Sequence, residues 1–216
     1  MLKRISSVTL IAFMLIGSLY AADLGSYNFA MLTSVSEGSG TVDEIGDITG
    51  DDADGVKLYI GYKEGPYSSD VTIKDCKPLG NQSTPADVSI VAPDAESSGL
   101  YDEVTIYVAA DSNVSKETTV NIRFDLGSGW QLDSNKDIEP IAIVADINAA
   151  DVTDEESNVK AIASGDSLLS LTAKTGEPKK EEAKIVGYSV LSWPNDGMVT
   201  AGDYSATVSV ELASGN

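Results

Sequence analysis

Histidine is absent from this 216-residue chain, cysteine occurs once, and 14 lysines and arginines stand against 34 aspartates and glutamates. Without an imidazole there is no Ser-His-Asp or Cys-His catalysis, and the commonest transition-metal ligand is missing. One thiol and no imidazole exclude the usual structural zinc sites. Cys76 alone closes no disulfide within the chain, so stability has to come from burial and hydrogen bonding. The shortage of basic residues argues against nucleic acid, whose phosphates are bound by cationic surfaces that release counterions. Anionic membrane surfaces are disfavoured for the same reason. Nor does the chain contain a Gly-x-Ser-x-Gly elbow, a Gly-x-x-x-x-Gly-Lys-[Ser/Thr] phosphate loop or a strand-linked Gly-x-Gly-x-x-Gly. Paired carboxylates remain as a route to glycoside hydrolysis, but nothing singles out one pair. The expectation is a protein without enzymatic activity.

Long apolar runs are scarce as well. The one present, Ile5 to Leu19, follows Lys3-Arg4 and precedes Ala21-Ala22. A basic start, an apolar stretch and then small residues is the order of a secretory signal. The stretch is shorter than the ~20 residues a spanning helix needs. Residues 1–21 are therefore expected to be a signal peptide cleaved after Ala21. Residues 22–216 would be secreted, to the extracellular space or cell surface, with the periplasm as another destination. No Cys lies near the junction to take a lipid anchor, and no later apolar run predicts a membrane span. Losing Lys3 and Arg4 takes the net charge from −20 to about −22. A surface so acidic favours solubility and suits a salty or divalent-rich medium.

What the remaining chain has in abundance is alternation. Tyr27, Phe29, Met31, Thr33 and Val35 recur with period two, as do Val56, Leu58, Ile60 and Tyr62. Further lines run through Val71 and Ile73, Val88 and Ile90, Val104 to Val108, Val120 to Phe124, and Ile141 with Ile143. Leu169 with Leu171, and Ile185 to Val190, are weaker; Tyr204 to Leu212 is the cleanest. Period two places one set of side chains on one face of a sheet, and the β-branched and aromatic content suits strands. Gly, Pro, Asn and Asp clusters separate the lines, as at Glu64-Gly65-Pro66, Gly127-Ser128-Gly129 and Pro194-Asn195-Asp196-Gly197. The pattern predicts an all-β fold: an antiparallel β-sandwich, immunoglobulin-like or jelly-roll-like, of roughly ten strands. Residues 22–216 are expected to form one such domain. The alternative is two small β domains split near 126–140. Asp151 to Ala163 has the composition of a short helix.

Two acidic segments invite calcium, which takes hard oxygen ligands on a flexible backbone. In the first, Asp47, Asp51, Asp52 and Asp54 are the candidate ligands among closely spaced glycines. The EF-hand pattern is broken there, because Gly50 and Gly61 would fall on ligand positions. In the second, Asp133, Asn135, Asp137 and Glu139 alternate as ligands would, but Lys136 opposes them and no glycine follows Asp137. Calcium is thus the one cofactor to test, against the alternative of two solvated acidic turns.

The two ends of the mature chain read as assembly elements. Tyr27, Phe29, Met31 and Val35 lie on an uncharged strand almost at the mature terminus. It is either the first strand of the sandwich or a donor strand for a neighbour, with Ser36 to Gly40 as hinge; strand addition supplies a ladder of backbone bonds and removes an exposed edge. At the other end, Gly197 to Leu212 carries an Ala201-Gly202-Asp203-Tyr204 turn into an alternating last strand. This segment of about 20 residues resembles the closing hairpin of secreted β-sandwich surface proteins of the fimbrial and fibre-subunit type. The resemblance implies a structural or adhesive cell-surface role by self-association, as a homo-oligomer, with no catalytic residues. The rival expectation is a monomeric, calcium-dependent carbohydrate-binding or adhesion module. Its glycan or cell-surface partner would stack on Trp130 and Trp193, helped by Tyr59, Tyr67 and Tyr101.

Overall fold

The computed structural model describes residues 27–36, 56–81, 86–91, 103–112, 114–165, 167–176, 183–193 and 202–214. Residues 1–21, expected to be a signal peptide, lie outside them. The fold is an all-β sandwich of two stacked sheets, with no α-helix among the described residues. In chain order the strands are β1 (Tyr27–Ser36), β2 (Val56–Glu64), β3 (Lys77–Pro78), β4 (Gly80–Asn81), β5 (Ala86–Val91), β6 (Glu103–Ser112) and β7 (Thr118–Asp125). There follow β8 (Gln131–Leu132), β9 (Val144–Ala149), β10 (Val159–Ser164), β11 (Leu168–Ala173), β12 (Lys184–Ser192) and β13 (Gly202–Ser214). Three are two-residue bridges, which leaves ten strands of six residues or more.

Sheet A has the order β10-β11-β7-β13-β1-β4, with β5 also paired to β1 and β8 to β13; sheet B has the order β3-β2-β6-β12-β9. Strands from before residue 126 and after residue 140 interleave in both sheets, so the chain does not divide into two β units there. Most pairs are antiparallel, as alternation predicts. The exceptions are β1 with β13 and β1 with β4, which are parallel. No hairpin constrains β1 and β13, which come from opposite ends of the described chain.

Period-two patterning builds the core directly. Val120, Ile122 and Phe124 of β7 alternate with exposed or half-buried neighbours, and so do Tyr204, Ala206, Val208, Val210 and Leu212 of β13. They meet Leu58, Ile60 and Tyr62 of β2 and Val104, Ile106, Val108 and Ala110 of β6 in one hydrophobic cluster. Burying one aliphatic side chain of this size stabilises by about 1.5–3 kcal/mol, so these facing rows are the principal source of cohesion. Close packing also explains Gly187. A register shift between Ile185 and Gly187 brings Gly187 over β11, where a Cβ would lie 2.5 Å from Leu169 Cδ2.

β6 is buried on both faces, from Val104 through Ser112. Its outward row is covered by the segment after β2, which folds back over sheet B. Tyr59, Tyr107 and Ala109 pack there against Ile73, Cys76 and Ala183. Val71 and Ile73, which alternation assigns to a strand, lie in this covering layer instead. Residues Ile73–Asp75 form a 3-10 turn, held where the Thr72 N–H and Oγ1–H both donate to Asp75 Oδ2 at 2.8 Å. That local alternative to a ladder is typical of Thr and Asp.

The helix expected over Asp151 to Ala163 is not formed. Residues 154–156 make a turn, and Val159–Ser164 is strand β10, paired with β11 from Val159↔Ala173 to Ser164↔Leu168. Val159, Ala161 and Ala163 join the core on alternate positions. The intrinsic helix preference of alanine is a weak prior that tertiary context overrides.

Candidate functional site

The candidate assembly strand, β1, is flanked on both edges by its own chain. On one side it runs parallel to β13 for ten residues, from Tyr27↔Gly202 to Ser36↔Glu211. On the other, Asn28 to Thr33 pair antiparallel with β5, and Ser34 and Val35 pair with β4. Phe29, Met31 and Val35 are register partners of Tyr204, Ala206 and Val210, which belong to the buried row of β13; Tyr27 is the partner of Gly202. The strand is thus a central member of sheet A, and β4 and β5 connect to that sheet through it.

The candidate calcium ligands Asp47, Asp51, Asp52 and Asp54 lie outside the described residues. The second set does not converge. Asp133 Oδ1 accepts from Ser205 Oγ at 2.6 Å, and Asn135 Oδ1 accepts the Asp137 N–H at 3.0 Å, closing a local turn. Asp133, Asp137 and Glu139 are all exposed. Among the described residues no group of three or more Asp, Glu, Cys or His gathers at ion-binding separation.

The tryptophans named as a carbohydrate platform are core residues. Trp130 is 0% exposed and Trp193 3%, and the two rings meet edge to face at 5.0 Å. A buried indole offers no face to a sugar in solvent. Tyr59 is buried too, while Tyr67 is half-buried and stacked at 3.6 Å on Tyr188 over the outer face of sheet B. Tyr101 lies outside the described residues. Sequence alone could not separate core from platform here, because large aromatics serve both uses.

No protein-family model matches the chain, and a search of curated proteins finds no match either. Among the described residues no helix is long and apolar enough to cross a membrane.

Two ionisable groups are shaped by burial. Cys76 is free and buried, its Sγ–H directed at the Thr72 carbonyl 3.7 Å away. Burial, reinforced by the neighbouring Asp75 charge, pushes its thiol up to about 11, so it is held as the unreactive thiol. Asp111, at the end of β6, is buried as well. Desolvation raises its pKa, against a 2.7 Å hydrogen bond from the Ser112 N–H and the charge of Lys57, its cross-strand partner. A carboxyl with a raised folded pKa contributes stability below its unfolded pKa and loses it as pH rises through the folded value. Asp111→Asn, which retains an acceptor for Ser112, is therefore expected to unfold at a higher temperature than the wild type at pH 7. The gap should close at pH 3, and thermal melts at the two pH values check it.

Alternation failed to reveal β10 and the start of β9, and these carry the two large hydrophobic residues left exposed among the described residues. Val144 on β9 is 56% exposed and Ile162 on β10 is 65% exposed. β9 and β10 are the last strands of sheets B and A on the same side of the sandwich. Lys160 of β10 is drawn to Asp154 at 2.7 Å, and Lys174 reaches the same carboxylate at 3.1 Å. The Lys160 hydrogen bond and then that from Lys174 hold the Asp154 carboxyl below its usual range.

Proposed function

We propose that this chain is an exported structural or adhesive protein, a subunit of an extracellular fibre or surface assembly joined by β-strand pairing. In this structure β1 is a strand of its own sandwich, and the reading rests on where that strand lies in the sequence and in sheet A. This strand follows the export segment in sequence and occupies the middle of sheet A, bridging β13 to β5. Its ladder depends on sequence and register, not on which copy supplies the strand. Residues 37–55 join it to β2, a connection long enough for the strand to serve a neighbour. If each copy gives its strand to one neighbour and receives one from another, every contact is head-to-tail, and head-to-tail contacts that do not close generate filaments. The shortage of catalytic residue types and the acidic surface accord with a protein that acts by contact.

Electron microscopy and sedimentation of residues 22–216 test the proposal. Fibres or higher oligomers are expected. A variant lacking Tyr27–Ser36 should fail to grow fibres and should capture a synthetic Tyr27–Ser36 peptide one to one. A strict monomer at every concentration, with and without calcium, would remove the fibre reading. Saturable glycan binding by that monomer would put a carbohydrate-binding module in its place.

A further inference from the structure

We infer that β10 is a second, separate self-association edge, at which two copies of this chain pair antiparallel about a two-fold axis at Ile162. It shares with the proposed function only the premise that copies meet, and it requires no exchange of β1.

β10 is bonded along one side only, to β11, and among the described residues no strand pairs with its other side. An unpaired edge presents a row of N–H and C=O groups ready to bond another strand. Soluble proteins usually blunt such edges with proline, bulges, lysine or very short strands. The far edge of sheet B is blunted in this way, since β3 is only Lys77–Pro78. β10 carries one such device, Lys160, but that charge is tied to Asp154, and the strand is six residues long, contains neither proline nor glycine, and runs in unbroken register. Its outward row is centred on Ile162, 65% exposed.

Charge and symmetry select the occupant. The chain has a net charge of −20, so two copies can approach only where acids are few. The strands β10 and β11 contain no acid and one charged residue, Lys160, already neutralised by Asp154. β9, the neighbouring edge, carries Asp146 near its middle, a like charge that self-pairing would bring together. An isologous contact needs residue i opposite j and j opposite i. About Ile162 the strand meets that condition: Ile162 faces Ile162, Ala161 faces Ala163, and Lys160 faces Ser164. No like charges are opposed, and the exposed isoleucine is covered by its own copy.

Cysteine cross-linking reads the register. Directly opposed residues of an antiparallel pair have Cα atoms about 4.5–5.5 Å apart, within disulfide range. Oxidised Ile162→Cys should therefore give a covalent dimer on a non-reducing gel. Lys160→Cys alone should not, because the two copies of position 160 lie about 13 Å apart along the strands; it carries the same Cys76 and serves as control. Mixing Lys160→Cys with Ser164→Cys should restore the cross-link. In sedimentation, wild type should show a concentration-dependent dimer that Ile162→Lys weakens at least tenfold. Circular dichroism should show both variants folded, since the side chain is exposed. A wild type that never dimerises, or Ile162→Cys cross-linking no faster than Lys160→Cys, would overturn the inference. Fibres without any 162 cross-link would leave the β1 reading standing alone, and a 162 cross-link without fibres would leave β10 standing alone.

Discussion

Trp130→Ala is expected to lower the unfolding free energy by about 3–5 kcal/mol, the range for truncating a large buried aromatic. The ring is fully buried within the main cluster and packs edge to face on Trp193. Aromatic pairs of that geometry contribute about 0.5–1.5 kcal/mol beyond the area they bury. The strand around it is short. Trp130 and Ile141 form an isolated bridge, each donating its N–H to the other's carbonyl at 2.8 and 2.9 Å. With so little ladder to hold the backbone, the void left by the indole should be felt by the 126–141 segment as a whole. Urea denaturation reads the loss. A decrease under about 1 kcal/mol would mean that the site collapses around the alanine and that the tryptophan is not the keystone of that end of the core.

Gly129→Ala is expected to cost about 2–3 kcal/mol or more, from a single methyl group. Gly129 has φ +86°, a region that disfavours residues with a Cβ. Space is also lacking. A Cβ would fall well inside contact distance of the Ile141 carbonyl oxygen and within 3.1 Å of its carbon. Both obstacles are backbone and belong to the bridge that seats Trp130, so relief requires opening that bridge. Gly65 is the matched control: it has φ +101°, but a methyl group there would meet nothing within 4 Å. Gly65→Ala should show the dihedral penalty alone, and the difference in urea midpoint between the two variants isolates the clash.

Much of the sandwich can be read from alternation, and the reasons for the exceptions are specific. β2, β6, β7 and β13 are visible because large branched residues occupy every second position, the trace of a row facing the core, which survives even in β6, whose other row is covered as well. β10 is hidden because its inward positions after Val159 are Ala161 and Ala163 while Ile162 points outward, so the apolar signal falls on the wrong phase. Val71 and Ile73 mislead in the opposite sense: they alternate, yet they cover the outside of sheet B. Strand order is invisible to any local pattern. Nothing near Tyr27 or Gly202 announces that these two positions are neighbours. The candidate site divides in the same way. An assembly strand can be guessed from an uncharged alternating segment, but an edge such as β10 exists only once the sheets are ordered. Trp130 and Trp193 show the converse, since composition cannot tell a buried aromatic pair from an exposed one.

The parallel pairing of β1 with β13 has a consequence for how the molecule is made. Tyr27 and its partner Gly202 are separated by 175 positions along the chain. β1 emerges from the ribosome among the first of the strands and has no β13 to join until nearly all of the others have been synthesised. Long-range pairing of this kind is slow, because the closure entropy must be met before the contacts form. Sheet A therefore cannot close until β13 has been synthesised. The closing step of sheet A is thus reserved for the time after β13 has arrived, and until then β1, β4 and β5 have no attachment to the rest of that sheet.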